Sequence, residues 1–282
     1  MKIAVIVPVY RQWDLIPNLI STFKKMTVSD RRVEFILVDN EPGTDKNVPG
    51  INLVECQKPG SYAARNAGIR NSSADLFLFS DADCIPSAKW IESIRLAYKE
   101  SNKKTLLAGN VIIRSNNTHP TTAELYDIAA GLPQERYVSR GYAVTANLAI
   151  PRAVFDEIGL FDETRFSGGD ADFCQRALKA GFKLKFVPEA IVYHPARTTW
   201  KEYATKVRRM KGGQIRAGKW SRRLKYFLIT LVPPVWRIWR SAKSDKLKPF
   251  EKVRVGWFQL RLWFVELFEM IALLLGKTPE RR

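Results

Sequence analysis

Two aspartates set one residue apart carry the clearest chemistry in this chain. Leu76–Pro86 reads LFLFSDADCIP, an apolar run ending in Asp81 and Asp83 with Ala82 between them. In an extended chain residues i and i+2 point to the same side, so both carboxylates can face one ion. Two carboxylates joined by phosphate oxygens make a hard-oxygen site suited to Mn2+ or Mg2+. The bare spacing is common by chance and an acidic loop would read the same way; the apolar strand before it favours the metal. A second acidic pair, Asp170 and Asp172 in SGGDADFCQR, opens a helical pattern. Capping explains aspartates there, because they satisfy free N–H groups and the helix dipole. Beside a metal site Asp170 is also a candidate general base, since deprotonating an acceptor hydroxyl takes a carboxylate within hydrogen-bond reach. His194, near the end of LKFVPEAIVYHP, could complete the metal shell or be merely structural, and His119 in a polar stretch carries no role.

Positioning such groups requires a rigid frame. IAVIVPVY (Ile3–Tyr10), VEFILVDN (Val33–Asn40) and INLVEC (Ile51–Cys56) read as buried strands, and LFLFSDAD as a further one. Between them, helical spacing predicts helices over Leu15–Met26, Ser61–Ala74 and Trp90–Glu100. Continuous apolar strands alternating with helices predict an α/β fold with a mainly parallel sheet covered on both faces. In such sheets the ligand crevice lies beyond the carboxyl ends of the strands. The strand ends Val9 and Tyr10, Asp39 and Asn40, and Asp81 and Asp83 then gather on one edge. Further on, Leu106–Arg114 predicts a strand, GYAVTANLAIPRAVFDEIGLFDE a strand, turn and short helix, and residues 115–140 show no pattern.

Composition narrows the class. With 282 residues, 46% apolar and 26% charged, the chain can build a real core. No signal peptide is expected, because Pro8 interrupts the N-terminal apolar run. Cys56, Cys84 and Cys174 lack CxxC spacing and read as reduced thiols of a cytosolic protein, Cys84 without a role. Residues 197–282 hold 22 Lys+Arg and 6 Asp+Glu, so nearly all of the +18 net charge sits there. That region suits an anionic partner. Its apolar segment from Val255 to Lys277, taken with the preceding Arg254, places Arg254, Arg261, Glu269, Glu266 and Gln259 within one arc of about 160° at helical spacing. Trp257, Leu260, Trp263, Phe264, Leu267, Ile271, Leu274 and Leu275 occupy the other side. Charges inside the segment argue against a membrane-spanning helix, and an interfacial helix on a membrane surface is expected. The alternative is a helix packed on the domain or on the partner in a homodimer.

The motifs together resemble a known family. The chain is similar to the inverting family 2 glycosyltransferases of the GT-A fold, of bacterial cell-surface polysaccharide type, over roughly residues 1–200. The resemblance rests on VIVPVY, FILVDN, QKPGSYAARNAGI, FLFSDADCIP, ANLAIPRAVFDEIGLFDE, GGDADFCQRALKAG and VYHP in matching order and spacing. It implies a Rossmann-like catalytic domain at 1–197; charge and helical spacing mark off a basic helical region at 198–282. It implies that Asp39, near Pro8 and Tyr10, reads the nucleotide base, and that Arg65 and Asn66 line the nucleotide-sugar cleft. Asp83 would be the principal ligand of Mn2+ or Mg2+, with Asp81 toward the ribose or metal, His194 a further ligand and Asp170 the base. The reaction implied is transfer of a sugar, UDP-linked by default, to a hydroxyl; the basic amphipathic C-terminal region favours a glycan or lipid-linked acceptor at the inner face of the plasma membrane. One departure is that Gly169 stands where the family often has Glu before the base.

Rival classes fit less well. A dinucleotide oxidoreductase would carry G-x-G-x-x-G after the first strand, where YRQWDLIP stands. An aspartyl-nucleophile phosphotransferase would carry its paired aspartates on the first strand. A polyanion- or membrane-binding protein with a non-catalytic α/β domain would explain only the basic end. Nucleic acid is disfavoured, because Trp236, Trp239, Trp257 and Trp263 lie in apolar segments and not among cations in a polar groove.

Overall fold

The apolar runs fold as strands because their β-branched residues fill both faces of a covered sheet. In the computed structural model, which describes residues 1–27, 32–41, 43, 48, 50–101, 103–165, 167–216 and 219–280, the chain divides into two compact units. The first comprises Met1–Ile112, Leu132–Thr164 and Gly169–His194; the second comprises Ile113–Gly131, Arg165–Gly168 and Pro195–Arg282. The strands are β1 (Ile3–Val9), β2 (Val33–Asp39), β3 (Asn52–Glu55), β4 (Leu76–Ser80), β5 (Ile85–Pro86), β6 (Thr105–Arg114), β7 (Asn147–Pro151) and β8 (Lys183–Pro195). They form one mixed sheet in the order β3-β2-β1-β4-β7-β6-β8-β5. β3, β2, β1 and β4 run parallel, whereas β7 pairs antiparallel with β4 and β6, and β5 with β8. The parallel part brings the carboxyl ends of β1, β2 and β4 to one edge.

Pro8 sits inside a central strand, where its missing N–H would normally break the ladder. Val9 turns its carbonyl toward β2, accepting from Asn40 N–H at 2.9 Å. Pro8, one residue back, therefore faces the β4 side, where pairing already ends at Ile6. No ladder bond is lost.

Helices α1 (Ile16–Thr27), α2 (Ser61–Arg70) and α3 (Trp90–Glu100) flank this sheet, with α5 (Gln134–Val138), α6 (Arg152–Ile158) and α7 (Gly169–Lys179) in the same unit; α4 (Thr122–Ala130) and α8 (Trp200–Arg216), α9 (Trp220–Leu231), α10 (Val235–Ala242) and α11 (Pro249–Leu274) belong to the second. The aromatic centre of the first unit is Phe77, Phe79, Phe155, Phe161 and Phe173, edge-on or tilted with centroids 4.6–6.3 Å apart, the geometry that ring quadrupoles prefer. One buried amide ties sheet to helix. Asn147 donates to the carbonyls of Asn110 and Ala190 at 2.9 and 2.8 Å and accepts from the Trp90 indole at 2.8 Å. A Cβ on Gly109 would meet that amide at 2.4 Å, so only glycine fits there.

Residues 115–140, patternless by spacing, hold α4 and α5. The missed signal is Thr121-x-x-Glu124. Thr121 Oγ1 accepts from Glu124 N–H and Glu124 Oε2 from Thr121 N–H, the reciprocal cap that starts α4. No helix among the described residues is long and apolar enough to cross a membrane. α11 turns part of its polar arc inward. Gln259 and Glu269 are buried with Val255, Phe258, Leu262, Met270 and Leu273. Gln259 bonds Ser241 at 2.6 Å, Lys277 bonds Glu269 at 2.6 Å, and Arg254 bonds Thr122 at 2.7 Å.

Candidate active site

The paired aspartates do not sit on an extended chain. β4 ends at Ser80, and Asp81–Cys84 form a turn closed by Cys84 N–H donating to the Asp81 carbonyl at 3.0 Å. The expected strand geometry is therefore corrected: a turn, not a pleat, brings the carboxylates together, because the chain must reverse from β4 into β5. Ala82 is buried at the turn. The β5–β8 ladder pairs Ile85 with Tyr193, and one step further along that register His194 comes beside the turn. The outcome is a cluster in which ligand atoms of Asp81, Asp83, Cys84 and His194 all lie within 4.8 Å of one another. His194 Nε2 is 3.8 Å from Asp83 Oδ1. Cys84 was given no role from sequence, yet its sulfur belongs to this cluster. Burial, followed by the charges of Asp81 and Asp83, pushes its thiol well above the ordinary range, and a neutral thiol is a poor partner for a hard cation.

Helix α2 stands behind this cluster with one face turned to it. Tyr62, Arg65 and Asn66 are spaced i, i+3 and i+4 and share a side; all three are buried. Arg65 Nη2 donates to Asp81 Oδ1 at 2.6 Å, fixing that carboxylate. Arg65 Nε is buried with no partner among the described residues, and an unmet donor of this kind costs about 1–3 kcal/mol. One turn back, Tyr62 O–H donates to Asp170 Oδ1 at 3.3 Å and accepts from Gly169 N–H at 3.0 Å. The same helix thus ties Asp170 to the cluster. It also accounts for Gly169: a Cβ there would meet the Tyr62 ring at 2.7–2.9 Å, so the Glu often found in the family has no room here.

Burial raises the carboxyl of Asp170 above its ordinary value, against the lowering influence of the Ala171 N–H, the Arg65 charge and the Tyr62 hydroxyl. Asp172, the other candidate, instead takes the guanidinium of Arg176 at 3.2 Å across one helical turn.

The remaining sequence candidates divide. Asp39 is buried at the end of β2, its Oδ1 accepting from Glu41 N–H at 2.9 Å. Pro8 and Tyr10 are half-buried at the end of β1, with Arg11 over the Tyr10 ring at 5.0 Å. Asn66 does not line a cleft: it is fully buried. Its amide N donates to the Phe161 carbonyl and Glu163 Oε1, both at 2.9 Å, while its oxygen accepts from Phe161 N–H at 3.1 Å. The expectation is corrected to a positioning role, holding residues 161–163 against α2. Asn40 was missed as a positioning residue. Its amide bonds the carbonyls of Cys56 and Lys58 at 2.8 Å and accepts from Gly60 N–H at 2.9 Å, which fixes the entry to α2. The signal was an Asn directly after a buried strand, a residue type that satisfies loop backbone.

Comparison with known proteins places this arrangement. The family model described as "Glycosyl transferase family 2" matches residues 4–160. Glycosyltransferase AglE of Haloferax volcanii is 33% identical over 224 residues, covering 76% of this chain and 73% of that protein. Pre-mycofactocin glycosyltransferase of Mycobacterium tuberculosis is 26% identical over 200 residues, 66% of this chain but only 42% of that protein. Among solved structures, the mannosyltransferase PcManGT from Pyrobaculum calidifontis, in complex with GDP-Man and Mn2+, superposes with a TM-score of 0.56 at 12% identity, covering 98% of this chain and 76% of that one. TarS residues 1–349 of S. aureus give 0.52 at 15% identity, covering 94% and 72%. These likenesses are of the GT-A fold. The matched segment contains the strand ends, the paired aspartates and the buried face of α2, and by it this chain is a transferase belonging to glycosyl transferase family 2.

Proposed function

We propose that this chain moves a sugar from a nucleoside-diphosphate donor to a hydroxyl of a glycan or lipid-linked acceptor, with inversion at the anomeric carbon. The observation that carries the reading is the convergence of Asp81, Asp83 and His194 within 4.8 Å at the carboxyl edge of the sheet, tied through α2 to a separate, half-buried Asp170. Two carboxylates and an imidazole nitrogen suit Mn2+ or Mg2+, and PcManGT, with its GDP-Man and Mn2+, supports the same choice. Asp83 and His194 would hold the ion, with Asp81 shared between it and Arg65. When bound, such an ion neutralises charge on the departing diphosphate.

The chain's own groups do the rest. Arg65, with an unmet N–H, supplies fixed positive charge beside Asp81. Asp39, Pro8 and Tyr10, at the ends of neighbouring strands, form the floor on which the nucleotide base rests. Asp170 accepts the proton of the acceptor hydroxyl as its oxygen attacks the anomeric carbon opposite the leaving diphosphate. Its raised affinity for protons makes it a stronger base than a solvated aspartate. One displacement breaks the anomeric bond and forms the new one, so configuration inverts and no covalent enzyme intermediate arises.

The test is consumption of UDP- and GDP-linked sugars with Mn2+, Mg2+ or EDTA, in the wild type and in Asp83→Ala. Turnover dependent on the cation, and a fall of at least about a thousandfold in the variant, is expected. Unchanged turnover in Asp83→Ala would end the metal assignment. An acceptor product of retained anomeric configuration by proton NMR would end the single-displacement mechanism.

A further inference from the structure

We propose that the second unit docks on an anionic lipid bilayer through outward-facing apolar stripes on α9, α10 and α11. Soluble chains scatter their exposed apolar residues singly, and contiguous ones mark an interaction surface. Here the large apolar side chains that are exposed in the first unit are scattered: Met1, Ile85, Leu96 and Leu178. In the second they line up. α9 exposes Trp220, Leu224, Leu228 and Leu231, which fall within one narrow stripe at helical spacing, and Ile229 outside that stripe. α10 exposes Val235, Trp236 and Trp239, the two indoles stacked at 4.5 Å. α11 exposes Phe250, Val253, Trp257, Phe264, Phe268 and Ile271, opposite the face that it packs inward.

The three helices lie side by side. The Trp263 indole of α11 donates to the Thr230 carbonyl of α9 at 2.8 Å, and Ile238 of α10 lies against Gly256 of α11, 3.5 Å from where a Cβ would stand. α11 is the telling element, because its polar residues Gln259 and Glu269 are inside while Trp257 and Phe268 are 64% and 70% exposed. With Val255, Phe258, Leu262, Met270 and Leu273 packed on its inner side, α11 is apolar on both faces, and the outer one suits an apolar neighbour.

Charge selects the occupant. Exposed Arg223 and Lys225 flank the α9 stripe, and Arg240 and Lys243 border that of α10, Lys243 lying 4.1 Å over the Trp239 ring. Residues 197–282 carry 22 Lys+Arg against 6 Asp+Glu. A second copy would present the same cations to themselves, whereas an anionic leaflet complements them. Apolar side chains with tryptophans in the stripe and cations at its border match the interface between acyl chains and head groups. Since no described helix is long and apolar enough to span, the helices lie in the interface plane. This inference does not depend on the sugar-transfer reading.

The experiment is flotation of the full chain with vesicles of phosphatidylcholine alone or mixed with phosphatidylglycerol. The expected result is co-flotation with the anionic vesicles, weakened by salt, and a blue-shifted tryptophan emission. The combined variant Leu224→Gln, Leu228→Gln, Trp236→Gln and Trp257→Gln should lose at least about tenfold in partition at unchanged melting temperature, because all four residues are exposed. No flotation of the wild type, or equal flotation of the variant, overturns the proposal. So does sedimentation showing a dimer that the same substitutions dissolve, or binding to soluble heparin with none to vesicles.

Discussion

Helices α2 and α11 both bury polar side chains, and they do so to opposite ends. In α2 the buried Arg65 and Tyr62 reach outward to carboxylates at the sheet edge, and Asn66 clamps residues 161–163. In α11 the buried Gln259 and Glu269 reach to Ser241 and Lys277 of their own unit. Buried polar groups are tolerated when they are hydrogen-bonded, and each of these five side chains makes at least one such bond, although Arg65 Nε, Gln259 Oε1 and Glu269 Oε1 have no partner among the described residues. What differs is the remaining surface. The polar groups of α2 leave one donor, Arg65 Nε, unmet beside a cluster of acids; α11 leaves a row of aromatic and aliphatic side chains facing out. On the readings proposed above, the first pattern holds charged groups for chemistry, and the second offers apolar area for contact.

The comparison is most severely tested at Asp170, where the largest effect is expected. Asp170→Asn keeps an oxygen for the Tyr62 hydroxyl and Ala171 N–H but removes the base, so kcat should fall about 10²–10⁴-fold with donor KM little changed. Stability should move the other way. The folded protein raises the carboxyl of Asp170, so its contribution to stability is complete below the ordinary carboxylate range and is lost as pH rises through the raised value. The Asn variant should therefore be at least as stable as the wild type at pH 7–8, with the gap closing toward pH 4. Equal turnover in variant and wild type would mean that α2 holds a structural acid. A variant clearly less stable at pH 8 would mean that the carboxylate is stabilised in its ionised form.

The legible parts of the molecule were those with a repeating spacing. The runs at Ile3, Val33 and Leu76 gave strands with ends shifted by up to three residues, and the strand-end logic gathered Asp39 and Asp81 on one edge. The turn at Asp81–Cys84 was not legible, because i, i+2 spacing reads alike in a strand and a turn until β5 pairs with β8. Tyr62 carried no signal at all: its role depends on Gly169, 107 residues away. The short α4 was hidden by its brevity and by the polar residues that precede it, although its capping pair was in plain view. For α11 the helical arcs were right, but which arc faces inward is decided by the partners Ser241, Lys277 and Thr122, and spacing cannot name them.

A smaller effect is expected at the loop that α2 clamps. Burial pushes the carboxyl of Glu163 up, but hydrogen bonds from Lys58, Asn66 and Arg70 outweigh it and hold the group at about 2. A depressed carboxyl stabilises above the unfolded value near 4.5 and loses that contribution as pH falls toward 2. Glu163→Gln should cost about 2 kcal/mol at pH 7, after allowing for the exposure of Lys58 and Arg70. Denaturant midpoints of the two proteins should stay apart from pH 8 to pH 5 and converge below pH 4. A gap that is independent of pH down to 3 would show that the lost contribution is not that of the charge.

The smallest effect is expected on the outer face of α11. Trp257 is 64% exposed, so in dilute solution Trp257→Gln removes little buried area, and the free energy of unfolding should stay within about 0.5 kcal/mol of the wild type. Gln also has helix propensity at least equal to that of Trp, so the backbone gives no reason for a loss. The near-zero value is informative because a tryptophan that packs in a core costs about 3–5 kcal/mol when truncated. A loss of that size in the isolated chain, measured by urea unfolding at low protein concentration, would mean that the face is covered by the chain itself. α11 would then be an ordinary packed helix, and its contrast with α2 would disappear.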